Sequence, residues 1–254
     1  MYLWASGGLG FIFLTTCLGA AAVFLFRKTP DGKARRVILG FAAGVMTAAC
    51  VFSLLLPAIA GARAAGRIGW IPASLGFVLG VLFLVGLDQL ILRTRFACAS
   101  SKRTALLVSA VTVHNIPEGM AVGLSLALAA QSGGDSGMYA AAAALAIGIG
   151  IQNLPEGAAV SLPLQQEGMR PRRAFWLGCL SGAVEPVFGF AAVALAAVIA
   201  PVMPWLLAFA AGAMLYVAAA ELIPEACAQG DSRAGALSVM AGFLLMMILD
   251  VALG

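Results

Sequence analysis

A hexapeptide that sets a nitrogen or amide group four residues ahead of a carboxylate occurs twice in this chain, each time inside an apolar run. His114-Asn115-Ile116-Pro117-Glu118-Gly119 returns 38 residues later as Gln152-Asn153-Leu154-Pro155-Glu156-Gly157. Residues four apart lie one above the other on a helix, so His114 pairs with Glu118 and Gln152 with Glu156. Asn115 and Asn153 sit about 100° further round and offer amide oxygen to a neighbouring position. Pro117 and Pro155 lack an N–H, which leaves the carbonyls of Val113 and Ile151 without their usual helical partners. Imidazole, carboxylate and amide oxygen together favour a borderline divalent cation, Zn²⁺ first and then Cd²⁺, Fe²⁺, Mn²⁺, Co²⁺ or Ni²⁺. The chain offers no cysteine ligand set that would trap a soft metal, which suits a site that must release its ion. Its five cysteines are scattered, most of them in apolar runs, and read as small core residues.

The elements that must hold these groups are membrane helices. Of 254 residues, 62% are hydrophobic and only 10% charged, and the mean hydropathy is +1.02. Soluble domains carry about a quarter charged residues, so the composition is that of an integral membrane protein. Stretches of about 20 apolar residues predict eight spans, at roughly 5–26, 37–60, 71–92, 104–130, 138–163, 173–200, 203–226 and 235–253. The motifs fall in the fourth and fifth. The runs are continuous rather than alternating, and open strands cannot satisfy their backbones in lipid. The expected fold is therefore all-α, with residues 1–254 forming one transmembrane domain and the loops too short for a soluble one. The first apolar run is followed, not preceded, by its basic cluster, the order of a spanning helix rather than of a secretion signal.

Charge placement orients the spans. Thirteen of the fifteen basic residues fall between spans 1 and 2, 3 and 4, 5 and 6, or 7 and 8; only Arg63 and Arg67 lie on the other side. The positive-inside rule makes the crowded side cytoplasmic and puts both termini outside. The net charge of +4 thus reflects topology and gives no case for a nucleic-acid partner. Spans 4 and 5 must run antiparallel, so their shared motif implies an approximate two-fold axis in the membrane plane. A weaker echo supports it. Phe41-Ala42-Ala43-Gly44-Val45-Met46 in span 2 matches Phe209-Ala210-Ala211-Gly212-Ala213-Met214 in span 7, with Pro57 and Pro224 following the methionines by 11 and 10 residues. Spans 1–3 and 6–8 would be inverted halves around a central hairpin, a 3+2+3 arrangement.

Four carboxylates, those of Glu118, Glu156, Glu185 and Glu221, lie within spans, and no Lys or Arg accompanies them there. Asp88, Glu225 and Asp250 lie nearer the span ends. An ionisable group in hydrocarbon costs at least a few kcal/mol and marks a functional path. Such groups must be protonated, hydrated or neutralised by a bound cation.

These residues resemble those of the ZIP (Zrt/Irt-like) divalent metal transporters, in particular the bacterial, GufA-like branch. The doubled motif is that family's signature in spans 4 and 5, and the resemblance covers nearly the whole chain. It implies a binuclear centre. One position would use His114, Glu118, Gln152 and Glu156; the other would use Asn115, Asn153, Glu156 as a bridge, and Glu185 from Ser181-Gly-Ala-Val-Glu-Pro186. Ser53 and Glu221 map onto the family's polar path on spans 2 and 7, and Asp88 corresponds to an acidic residue near it. Some relatives carry His or Asp in the second motif where this chain has Gln152 and Asn153, and some a histidine at Ala220. The span 3–4 loop contains no histidine.

The expected activity is uptake of a divalent ion, zinc foremost, through a bundle of spans 2, 4, 5 and 7, with Pro117 and Pro155 opening the helices. The expected setting is a bacterial inner (plasma) membrane, with membrane lipid and the metal as partners and a homodimer compatible with the reading. An intramembrane metal-dependent hydrolase is the alternative, with water activated by His114, Glu118 and Glu156, but the His-Glu-x-x-His pattern is missing. Against a proton- or sodium-coupled carrier of organic substrates using these carboxylates stands the lack of a basic residue in the core to hold an anionic substrate. The reading is therefore of a transporter and not an enzyme.

Overall fold

The computed structural model describes residues 2–25, 32–93, 99–131, 136–166, 168–228 and 232–253. It is 92% helical, with no strand among the described residues. Each predicted apolar stretch coincides with helix. Span 1 is α1 (Tyr2–Ala20), closed by a 3-10 turn over Ala21–Phe24. Span 2 is α2 (Gly32–Ala49), a π-helical segment (Cys50–Leu55) and α3 (Leu56–Ala64). Spans 3, 4 and 5 are α4 (Trp70–Arg93), α5 (Ala99–Gln131) and α6 (Ser136–Gln166). Span 6 is divided into α7 (Pro171–Gly182), α8 (Val184–Ala194) and α9 (Ala196–Ile199). Span 7 is α10 (Met203–Val217), a second π-helical segment (Ala218–Leu222) and α11 (Ile223–Ala226), and span 8 is α12 (Ser232–Leu253). Among the described residues, seven of these stretches are long and apolar enough to cross a membrane, and α5 is the one outside that set.

The helices break elsewhere than the motif prolines suggest. α5 runs unbroken through Pro117, and α6 through Pro155 and Pro163. Each proline removes one backbone bond, and the turns on either side keep theirs. The interruptions fall instead in spans 2, 6 and 7. In spans 2 and 7 a π turn precedes a proline: Leu56 N–H bonds the carbonyl of Val51, and Ile223 N–H that of Ala218, each five residues back. The rings of Pro57 and Pro224 would otherwise press on the carbonyls of Ser53 and Ala220, and the wider turn takes up the conflict. Both π segments begin four residues after the methionine of the repeated hexapeptide, at Cys50 and Ala218.

Four helix pairs dominate the packing: α1 with α6, α5 with α8, α2 with α12, and α4 with α10. Glycine makes the pairs close. A Cβ on Gly157 would overlap the carbonyl of Thr16, and one on Gly119 the carbonyl of Glu185. Gly44 stands in the same relation to Val239 as Gly212 does to Phe77. Such backbone-to-backbone contact is how helices associate where lipid supplies no hydrophobic drive. The motif helices α5 and α6 are thus carried by α8 and α1, and α10 and α2 also pack on them. The helices of spans 2, 4, 5 and 7 touch one another, α5 with α6 and α10 and α2 with α6, while spans 1 and 6 pack most extensively on 5 and 4. Leucine, phenylalanine and tryptophan side chains such as Leu18, Leu82, Trp176 and Leu244 cover the outside.

Candidate metal centre

Helix register alone places Glu118 one turn beyond His114 on α5, and Glu156 one turn beyond Gln152 on α6. The two helices pack against each other, and their motif faces meet. The Gln152 amide lies between the two carboxylates, its Nε2 donating to Glu118 Oε1 at 2.5 Å and to Glu156 Oε1 at 2.9 Å. A positively polarised N–H₂ between two carboxylates occupies the place a cation would take, and amide rotation would present the oxygen instead.

A second cluster adjoins the first. The break between α7 and α8 at Ala183, followed by Pro186, puts Glu185 in the first turn of α8. Asn153 Nδ2 donates to both of its oxygens at 3.0 Å and to the carbonyl of Ile12 at 3.1 Å. Thr16 Oγ1 lies 3.3 Å from Glu185 Oε1 and 3.1 Å from the same Ile12 carbonyl. On the other motif helix, Asn115 Nδ2 donates to the carbonyl of Ser181 at 2.9 Å. Asn115, Glu118, Gln152, Asn153 and Glu185 are 0% exposed and Glu156 1%, so the centre is closed to solvent.

Three amide oxygens in this core, Asn115 Oδ1, Gln152 Oε1 and Asn153 Oδ1, are buried without a hydrogen-bond partner. Buried polar atoms are nearly always satisfied, and three uncommitted oxygens beside three carboxylates make an oxygen-rich nest suited to a cation. Between Arg103 and Arg170 the chain has no Lys or Arg to supply the positive charge. Among the described residues no group of three or more His, Cys, Asp or Glu side chains is clustered to hold a metal by itself. The oxygen around the carboxylates comes instead from amides. The side chains of His114 and Asp88 lie outside the described residues.

Of the path residues, Ser53 lies in the π segment of span 2 and donates to Asp250 Oδ1 at 2.7 Å. Both line a cavity of about 450 Å³ with Phe52, Pro57, Ala144 and Gly148. Gly148 precedes Gln152 by one turn of α6, so the cavity wall leads toward the centre. Glu221, half-buried in the π segment of span 7, is not part of that cavity. The sequence reading missed Thr16 altogether and left Asp250 without a role. A carboxylate inside a span was the available signal for Asp250. Thr16, a small residue in an apolar helix that bonds its own carbonyl, gave none.

Fold and site together define a polytopic helical membrane protein with a closed, acidic, amide-rich cluster between its helices. The comparisons with known proteins place it further. The family model described as ZIP Zinc transporter matches residues 93–250. Zinc transporter GufA of Myxococcus xanthus is 38% identical, over 94% of each chain. Zinc transporter ZIPB of Bordetella bronchiseptica is 38% identical over 95% of this chain and 79% of its own. Zinc transporter ZIP11 of Homo sapiens is 36% identical, over 94% of each. The chain belongs to the ZIP family, a family of transporters and not of enzymes.

Proposed function

We propose that this protein carries zinc across a membrane through a two-position centre formed by α5, α6 and α8. The observation that carries the reading is the Glu118–Gln152–Glu156 arrangement, two buried carboxylates bridged by a single amide. Taking carboxylate charge out of water costs several kcal/mol per group, and a divalent ion between the two would neutralise both. One position uses Glu118, Gln152 and Glu156, with His114 one turn before Glu118 on α5. The other uses Asn115, Asn153 and Glu185, with Glu156 between the two. With imidazole, carboxylate and amide ligands, Zn²⁺ is the favoured substrate, and Cd²⁺, Fe²⁺, Mn²⁺, Co²⁺ and Ni²⁺ are weaker candidates.

In this reading the chain crosses the membrane eight times, with α5 as the fourth crossing, and both termini lie outside the cytoplasm of a bacterial inner membrane. The paired packing supports an inverted repeat, because exchanging spans 1 with 6, 2 with 7, 3 with 8 and 4 with 5 maps the four dominant helix pairs onto one another. The Ser53–Asp250 cavity lies at the seam between α6 and the α2–α3/α12 side, where a relative displacement of the two helix groups would open the centre. Metal would enter past Asp250, shed water, and rest between the glutamates. It would leave along Glu221 and Asp88 on the inner side.

The test is ⁶⁵Zn²⁺ uptake into liposomes containing the purified protein. Saturable uptake, lost in Glu118→Gln and Glu156→Gln, is expected. Wild-type uptake by both variants would refute the assignment. Competition by Cd²⁺, Fe²⁺ and Mn²⁺ in the same assay ranks the substrates.

A further inference from the structure

We propose that Thr16 of α1 is a positioning residue for metal binding, holding the Glu185 carboxylate in its ligand orientation through the hydroxyl group. The proposal deepens the two-position reading above and rests on it. Span 1 contributes no charged residue, yet Thr16 is fully buried against the centre. Its Oγ1 is 3.3 Å from Glu185 Oε1 and 3.1 Å from the carbonyl of Ile12, which also accepts from Asn153 Nδ2 at 3.1 Å. Thr16, Glu185, Asn153 and the Ile12 carbonyl thus close a polar ring linking spans 1, 5 and 6. Glu185 has two supports within it, the Asn153 amide on both oxygens and the Thr16 hydroxyl on one.

The surroundings are shaped to hold Thr16 in that place. A Cβ on Gly182 would press on the Thr16 side chain at 2.7 to 3.0 Å, and one on Gly157 would overlap the Thr16 carbonyl. Glycines on two neighbouring helices therefore bring Thr16 against Glu185. A hydroxyl has one proton and two candidate acceptors here. It donates to Glu185 when that carboxylate is free. A carboxylate oxygen has more than one lone pair, so the hydroxyl goes on donating to Oε1 while a metal is held on the others. The hydroxyl thereby keeps the carboxylate oriented without competing with the ion. Groups that orient metal ligands in this way are typically worth about 10- to 100-fold in affinity.

The test is zinc binding by the purified full-length protein in detergent, followed by titration calorimetry and by equilibrium dialysis with ⁶⁵Zn²⁺. Wild type is expected to bind two ions. Thr16→Val keeps the shape and removes the hydroxyl; it should weaken one ion about tenfold or more and leave the other within about twofold. Thr16→Ser restores the hydroxyl and should return affinity to within about threefold of wild type. If Thr16→Val does not purify as a single species, Thr16→Ala set against Thr16→Ser makes the same comparison. The proposal is overturned if Thr16→Val titrates as wild type, or if Thr16→Ser is as weak as Thr16→Val, since packing and not the hydroxyl would then matter. Glu185→Gln separates the two levels. If it loses an ion while Thr16→Val does not, only the role of Thr16 fails. If it binds as wild type, or if wild type binds one ion, the two-position reading fails and Thr16's role with it.

Discussion

Replacing Gly157 by alanine should injure the centre without touching any ligand. The new Cβ would overlap the carbonyl of Thr16 and crowd the amide of Ala20. Both are helix backbone and cannot rotate away, so α1 and α6 would have to separate by roughly 1.5 Å to restore ordinary contact at about 3.5–4.0 Å. Overpacking of this kind costs about 1–3 kcal/mol, which corresponds to a fall of roughly 3–10 °C in thermal midpoint for a chain of this size. The functional effect should exceed the loss of stability. The Asn153–Ile12 bond at 3.1 Å and the Thr16–Glu185 contact at 3.3 Å both cross the α1 seam. A further ~1.5 Å takes each beyond hydrogen-bond reach and removes the Thr16 support from Glu185. Gly10→Ala on α1, where an added Cβ meets nothing within 4 Å, is the control and should melt and transport as wild type. The assays are thermal unfolding in detergent, read by size-exclusion chromatography, and ⁶⁵Zn²⁺ uptake in liposomes. A Gly157→Ala protein that matches wild type in both would refute the argument that close approach of these helices builds the site.

Three other outcomes are expected. Glu118→Gln and Glu156→Gln each remove a charge that offsets the ion, a loss of about 2–5 kcal/mol and hence roughly 30-fold or more in zinc affinity, measurable by titration calorimetry. Asp250→Asn, which keeps shape and hydrogen bonding but not charge at the cavity mouth, should raise KM for zinc uptake several-fold with little change in maximal rate; uptake kinetics at low and saturating zinc separate the two. Zinc at about 100 times its Kd should stabilise the protein by about 2.7 kcal/mol, so the thermal midpoint should rise on adding zinc and fall back with chelator.

The helices were legible because each is a continuous apolar run, and composition alone marks those where water is excluded. The motif was legible because carboxylates and amides are conspicuous in such runs and their four-residue spacing survives as a helix face. The breaks were not. Pro117 and Pro155 read as interruptions, yet α5 and α6 continue through them, whereas Pro57 and Pro224 are preceded by π turns. A proline's effect depends on what packs around it, and single-sequence spacing does not carry that. Glu185 was placed in the site only by family resemblance. Its juxtaposition with Asn153 is a contact between distant spans that no local pattern encodes. Thr16 lay further out of reach, since its role depends on glycines 141 and 166 residues away, Gly157 and Gly182. The hexapeptide echo of Phe41–Met46 and Phe209–Met214 had modest weight in an alanine-rich chain. It acquires a physical reason where Gly44 and Gly212 seat their neighbours' carbonyls in the same way.

The central claim is that zinc rests between the motif helices on oxygen and nitrogen ligands. Zinc-edge X-ray scattering and absorption on crystals of the zinc-loaded protein test it most directly. The account predicts anomalous peaks between Glu118, Gln152 and Glu156 and beside Glu185, with a shell of light ligands at about 2.0–2.2 Å and no sulfur at about 2.3 Å. Peaks on the cysteines, or at the surface alone with the Glu118–Gln152–Glu156 hydrogen bonds intact, would contradict it.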